Sequence, residues 1–223
     1  MIDLLTILQH ADSTFPSGSF AFSNGIEGLA AMNAPLGPDG LKNVIAIYLR
    51  NRWVTSDRVA LALSHRAKDN FDRIGTVDRA VEASTLSEPL RNGSKRNGNA
   101  LLAAHSRLKT PGAAKLCELI GSGQALGHLP IVQGFVWRAC GISESSAIAI
   151  SGYSTAAGLV AATVRLGRIG AVAAQAILTD LLPTIADLSR VLPPPDSIIE
   201  SFVPWIDVAA SRQGRANLRL FSS

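Results

Sequence analysis

With 223 residues, 47% of them hydrophobic, the chain is long enough to bury one proper core and too short for several domains. Aromatic residues make up only 5%, so that core is built mainly of small and aliphatic side chains. The net charge of +4 comes with no recognition motif or aromatic interleaving, which argues against nucleic acid and for a solvated face or an acidic protein partner.

The first element is a short amphipathic helix over Ile2–Ala11, with Leu4, Leu5, Ile7 and Leu8 as its apolar residues. Asp3 stands where a signal peptide would carry positive charge, and no cleavage site follows, so a cytoplasmic location is expected. A loop over residues 12–23 contains Pro16, which fixes its backbone, and Gly18, which supplies a free φ. Ser23 is expected to cap a helix through Ala31, and Asp39 the next one. Leu41, Val44, Ile45, Tyr48, Leu49 and Trp53 then keep helical spacing, and the pattern runs on to about Lys68.

Thr76 is expected to open a short helix, and Ser87 a longer one that ends near Leu108. The longer helix keeps Gly93 and Gly98, which is costly unless another element presses against them. Thr110-Pro111 reads as a cap with proline in the first turn of a helix reaching Ile120. Pro130 starts another helix, which Gly141 closes, and Ser143 caps the element that follows. After a bend at Pro183 the helical pattern continues to about Val191, and Pro193-Pro194-Pro195 forms a stiff linker. A last helix over Pro204 to Arg212 precedes a tail without a core of its own. No alternating strand pattern and no internal repeat is visible. The fold class is all-α: one helical bundle over residues 1–203, with a C-terminal helix and partner-binding tail, 204–223, in the same domain.

The organising element is the stretch 145–179. Its first roughly twenty residues carry no charge, a length that also suits a bilayer. Its wealth of Ser, Thr and Gly, and the interruption by Arg165 and Arg168, favour the centre of a globular core instead. Gly152, Gly158, Ala161 and Ala162 then let neighbouring helices approach closely. A guanidinium at Arg165 needs partners in such surroundings, because an unpaired buried charge is very costly. Arg165 is therefore expected in or beside a crevice between helices. Small-residue helices also make broad flat faces, as suits a protein that binds other proteins.

Chemistry is harder to find. The histidines His10, His65, His105 and His128 are scattered, with no second ligand at helical spacing. Cys117 and Cys140 fit no metal or redox spacing and read as reduced core residues. There is no P-loop, and Ser17-Gly18-Ser19 lacks the flanking pattern of a nucleophile elbow. No cofactor, metal or catalytic residue is assigned. The residues alone reach a helical protein-binding module. The alternatives are a metal-dependent hydrolase using His128 and nearby acids, and an amphipathic module on a membrane surface.

One resemblance goes further. The run Pro16, Gly18, Phe20, Ser23, Gly25 and Glu27 resembles the N-terminal signature of the UreF family of urease accessory proteins. Leu90-Arg91, Gly93-Ser94, Arg96 and Gly98 then resemble its Arg/Gly/Ser helix, and His128 and Pro130, with Gly134 and Gly141, its His-Pro segment. Tyr153, Arg165-Leu166 and Gln175 follow in the family's order, and Asp207, Ala209-Ala210, Arg219, Leu220, Phe221 and Ser223 match its C-terminal end. Three places depart: Arg168-Ile169-Gly170 replaces Pro-Leu-Gly, Gln213-Gly214 replaces His-Glu, and Ser222 replaces an arginine.

The resemblance implies an all-α homodimer without catalytic activity. It further implies a scaffold and gate that joins a UreD/UreH-type protein and a UreG-type GTPase to deliver nickel to apo-urease, with no role for nucleic acid or membrane. Pro16, Gly18, Phe20, Ser23, Gly25, Glu27, Tyr153, Arg165 and Gln175 become partner-binding or gate candidates. So do Arg212, Arg215, Arg219, Leu220 and Phe221 of the C-terminal end. For Arg165 a structural role holding helices in register and a partner contact both remain open. Gln175 is expected to satisfy buried groups, and the tail to bind a partner.

Overall fold

The computed structural model describes residues 1–12, 14–16 and 22–213. Among them are eleven α-helices, one π-helical segment and no strand. The helices are α1 (Ile2–Ala11), α2 (Ile26–Ala31), α3 (Pro38–Tyr48), α4 (Arg58–Ala67), α5 (Phe71–Ser84), α6 (Glu88–Arg107), α7 (Ala113–Gly121), α8 (Leu129–Ala139), α9 (Glu144–Arg165), α10 (Ala171–Arg190) and α11 (Pro204–Gln213). The π segment, Leu49–Asp57, joins α3 to α4 without a break, so the helical run expected from Asp39 to Lys68 exists with a widened middle.

The predicted organiser is two helices. α9 begins where Ser143 caps it, the hydroxyl accepting from the Ser146 amide at 3.2 Å. It ends at Arg165, and Gly167, at φ +67°, turns the chain back into α10. α9 packs against α1, α2, α3, the π segment, α4, α8 and α10, which makes it the hub of the bundle. Its small residues are what allow this. A Cβ on Gly152 would stand 2.9 Å from the Trp53 indole and 3.1 Å from Ile185, so Trp53 and α10 close on α9 at a point where only glycine fits. Trp53, itself wholly buried, donates its indole N–H to the Ser151 hydroxyl at 3.1 Å. Gly158 has nothing near its missing side chain and lines a cavity instead.

A second layer forms from α4, α8 and α6. Gly134 of α8 meets the Leu61 carbonyl of α4, and the Ser64 hydroxyl donates to the Ile131 carbonyl at 2.7 Å. The two α6 glycines do have partners. A Cβ on Gly93 would fall 2.1 Å from the Phe22 ring, and one on Gly98 2.0 Å from the Gly127 carbonyl oxygen. Arg66 grips Glu144 with two guanidinium nitrogens and fixes α4 to the first turn of α9, where a carboxylate also suits the helix dipole.

Several boundaries differ from the sequence reading. α2 is capped by Gly25 at φ +88°, while Ser23 contributes its carbonyl to the Ile26 amide. Gly37 rather than Asp39 caps α3, with Pro38 in the first turn. α5 opens at Phe71 rather than Thr76, because the Asn70 side chain accepts from the Arg73 amide at 3.0 Å. Gly112, not Thr110, caps α7. α10 does run through Pro183 to Arg190, and the Arg58 guanidinium donates to the Leu188 and Val191 carbonyls at its end.

The residues after α10 form an extended segment laid along the π segment. Glu200 and Phe202 donate their amides to the carbonyls of Thr55 and Asn51 at 3.0 and 3.1 Å. α11 then crosses α2, where Gly25 and Gly28 sit so close to Ile206 and Ala209 that added Cβ atoms would lie 2.8 and 2.1 Å from them.

Candidate functional site

A π-helical turn is rare, and here it puts polar side chains into the interior. Arg52, only 4% exposed, leaves the π segment beside Tyr48 and Asp57. Its guanidinium lies 5.8 Å from the Tyr48 ring centre, 3.7 Å from an Asp57 carboxylate oxygen and 3.1 Å from the Ser201 hydroxyl, to which it donates. Burial works against this charge, but Tyr48, Asp57 and Asp207 outweigh it and hold the guanidinium protonated. Burial pushes the Tyr48 phenol up to about 12. It also raises Asp57, with Arg52 pulling in the opposite direction.

This cluster borders a cavity of about 190 Å³. α6 contributes Ser94 and Asn97 to its wall, α8 contributes Gln133, and α9 contributes Ser154, Thr155, Gly158 and Arg165. The wall combines hydroxyls, amides and two guanidiniums with the apolar sides of Phe22, Leu101 and Trp137. By area the wall is mainly apolar, with the polar groups set among apolar side chains, a lining of the kind small-molecule and water-filled cavities both have. Arg165 is half-buried at the end of α9, where burial lowers its pKa and the helix dipole favours its charge. The crevice expected for it is this cavity.

His128 does lie among acids, but they serve the chain itself. Asp78, fully buried, accepts from the amides of Leu126 and Gly127 at 2.7 Å and of His128 at 3.1 Å. Glu82 takes the His128 Nε2 at 2.8 Å, Lys95 at 3.1 Å and Arg91 at 3.2 Å. Burial raises the Glu82 pKa, yet Lys95 and His128 overcome that and hold it lowered. His128 itself is lowered by burial. The arrangement clamps the loop that leads into α8. Arg91 also donates to the Thr85 and Leu86 carbonyls, so the resemblance-bearing residues of α6 do structural work here.

The other candidates separate. Gly25 is buried against Ile206 at the α2–α11 crossing, and Ser23 is buried just before α2. Glu27 is half-buried in the first turn of α2. Pro16, Tyr153 and Arg212 face solvent. Gln175 is exposed on α10 and corrects the expectation that it satisfies buried groups, since α10 turns only the stripe Ala174, Ile177, Leu178, Leu181 and Ile185 inward. Gly18, Phe20, Arg215, Arg219, Leu220 and Phe221 lie outside the described residues.

Two features were not anticipated. The histidines are not all scattered: His10, His105 and Cys140 come together in space, and both cysteines are half-buried rather than core. The ends of the described chain also leave large apolar side chains in solvent. Ile2, Leu4, Leu5 and Leu8 are exposed on α1, which buries no residue of its own. Ile198, Phe202 and Trp205, each more than 70% exposed, stand before and on α11. A monomer gains nothing from two exposed aromatics three residues apart, so this end has the character of an interface.

Comparison with known proteins agrees across the chain. The UreF family model matches residues 37–182. "Urease accessory protein UreF" of Yersinia enterocolitica is 30% identical over 226 residues, covering 99% of this chain and 98% of its own length. The protein of the same name from Yersinia pestis matches to the same extent. "Urease accessory protein UreF 1" of Brucella melitensis is 29% identical, covering 98% of this chain and 92% of its own.

Proposed function

The chain belongs to the UreF family of urease accessory proteins, and from that membership we propose that it works without catalysis of its own, as a scaffold in urease maturation. In this reading it is a cytoplasmic homodimer that binds a UreD/UreH-type protein and a UreG-type GTPase and brings them to apo-urease for GTP-dependent nickel insertion. The observation that carries the scaffold role is the set of exposed apolar side chains at both ends, Leu4, Leu5 and Leu8 on α1 and Phe202 and Trp205 at α11. Aromatic anchors of that kind supply much of the binding energy at protein interfaces. Residues 214–223, with Arg215, Arg219, Leu220 and Phe221, follow α11 in the sequence, and in this reading they bind the partner too. The cavity bordered by Arg52 and Arg165 is the part that suits a gate.

Co-purification with the UreD-type and UreG-type proteins of the same genome tests this reading. Phe202→Ser with Trp205→Ser, and separately removal of residues 214–223, should leave the melting temperature nearly unchanged and weaken capture of the UreD-type protein at least tenfold. Undiminished capture by both variants would place the interface elsewhere. A failure of the unaltered chain to join either partner would end the scaffold reading.

A further inference from the structure

Three side chains far apart in the sequence share one corner of the bundle. His10 stands at the end of α1, His105 in the last turn of α6, and Cys140 closes α8. One ring nitrogen of each histidine and the Cys140 Sγ all lie within 4.8 Å of one another. His10 Nδ1 is 2.8 Å from the Thr6 carbonyl oxygen. A carbonyl only accepts, so Nδ1 carries the proton and Nε2 holds a lone pair. That Nε2 is buried and meets no hydrogen-bond partner. His105 is 0% exposed; its Nδ1 is 2.9 Å from the Thr110 hydroxyl and 4.0 Å from Cys140 Sγ, and its Nε2 too is buried without a partner.

Each of the two histidines thus keeps one buried ring nitrogen without a hydrogen bond beside the same cysteine, which is costly in an interior. Ligand binding resolves the cost. We propose that His10, His105 and Cys140 form a binding site for a divalent transition cation of the zinc type, with one coordination position left open. Two nitrogens and a sulfur are a donor set that zinc takes in tetrahedral sites, and three protein ligands leave the fourth place for water or an incoming group. The ring centres of the two histidines are 5.3 Å apart. Two imidazoles sharing a tetrahedral cation through bonds of about 2.0–2.1 Å would stand roughly 5 Å apart, so the separation fits and the two rings, now stacked 20° from parallel, turn toward the cation on binding.

Outer support is present as well. The Thr6 carbonyl fixes the tautomer of His10, and the Thr110 hydroxyl faces His105, as the second nitrogen of a metal-bound histidine requires. The Phe15 ring stands 5.1 and 5.3 Å from the two imidazoles and supplies an apolar wall. Cys140 binds as thiolate: the S–H bond breaks, a sulfur–metal bond forms, and the proton goes to solvent. The site draws on α1, α6 and the end of α8, so an occupied site fastens α1, which has no buried residue of its own, to the body of the bundle. None of this depends on the scaffold reading.

Cobalt(II) titration of the chelator-stripped full chain, followed by displacement with zinc(II), tests the site. One equivalent should give the near-ultraviolet thiolate-to-cobalt band and the visible bands of tetrahedral cobalt. Cys140→Ser should abolish the near-ultraviolet band. His10→Gln, at a half-buried position, should weaken zinc binding more than about a hundredfold, beyond what loss of an outer partner costs, with the helical circular dichroism retained. Zinc should also slow amide exchange across residues 2–11 in the unaltered chain and not in His10→Gln. A cobalt spectrum without a sulfur band, a sulfur band that persists in Cys140→Ser, or equal zinc affinity in His10→Gln would overturn the proposal.

Discussion

The two long apolar helices, α9 and α10, both have the length and composition of a membrane span, with mean hydropathy 1.5 and 1.3 over their most apolar windows. In α9, 56% of that window is buried in the protein, and in α10 only 28%. α9 carries glycine, alanine and serine where other helices must come close, so neighbours reach it from many sides. α10 carries one aliphatic stripe and exposes Val172, Gln175 and Leu182 on its other face. Apolarity alone therefore does not place a helix. The distribution of side-chain volume around its axis does.

The sharpest way to break this contrast is to enlarge the hub. Gly152→Leu must push Trp53 and Ile185 aside and should cost more than about 3 kcal/mol, read as a lower denaturation midpoint. On α10, Ile177→Ala empties a site only 4% exposed and should cost about 2–3 kcal/mol, the low end for such truncations. The cavity wall beside α9 can be tested by pH. Tyr48 holds its proton in the fold until about 12, while the unfolded chain releases it near 10. The unfolded state therefore binds fewer protons between those values, and stability should fall by about 3 kcal/mol as pH rises through them. The 295 nm absorbance of Tyr153→Phe, which leaves Tyr48 as the reporter, should show the matching late titration. Arg165→Ala removes a half-buried charge that solvent still screens, so it should cost less than about 1 kcal/mol while lowering urease activation in a reconstituted system. Val172→Ser, at a position 86% exposed, should stay within about 0.5 kcal/mol. If it weakens self-association in sedimentation, the outer face of α10 belongs to the dimer contact.

Much of this was legible in the residues, and for physical reasons. Ser143 caps α9 because a hydroxyl before an apolar run answers a local need, and local needs are written locally. Gly93 and Gly98 announced partners because a helix keeps glycine at a cost, although nothing in the sequence named Phe22 or the loop at Gly127. The π segment left no trace, since its residues keep ordinary helical spacing on either side. The end of α7 was found, but its start was not, because Thr110 turns its hydroxyl to His105 and leaves the cap to Gly112. The meeting of His10, His105 and Cys140 was out of reach. It depends on how α1, α6 and α8 pack, and no ligand spacing along the chain encodes that. Arg165 fell between: its apolar neighbours pointed to a crevice, and only the fold showed that the crevice is a cavity shared with Arg52.

The extended segment before α11 turns the C-terminal end into a tether with a fixed anchorage. Its amides hang on the carbonyls of Asn51 and Thr55, and its Ser201 hydroxyl is held by Arg52. Asp207, one turn into α11, adds its charge to the same guanidinium. The tether thus links the exposed Phe202 to Arg52, a cationic side chain of the cavity wall, so a partner that shifted this end would have to break or carry along contacts of the interior.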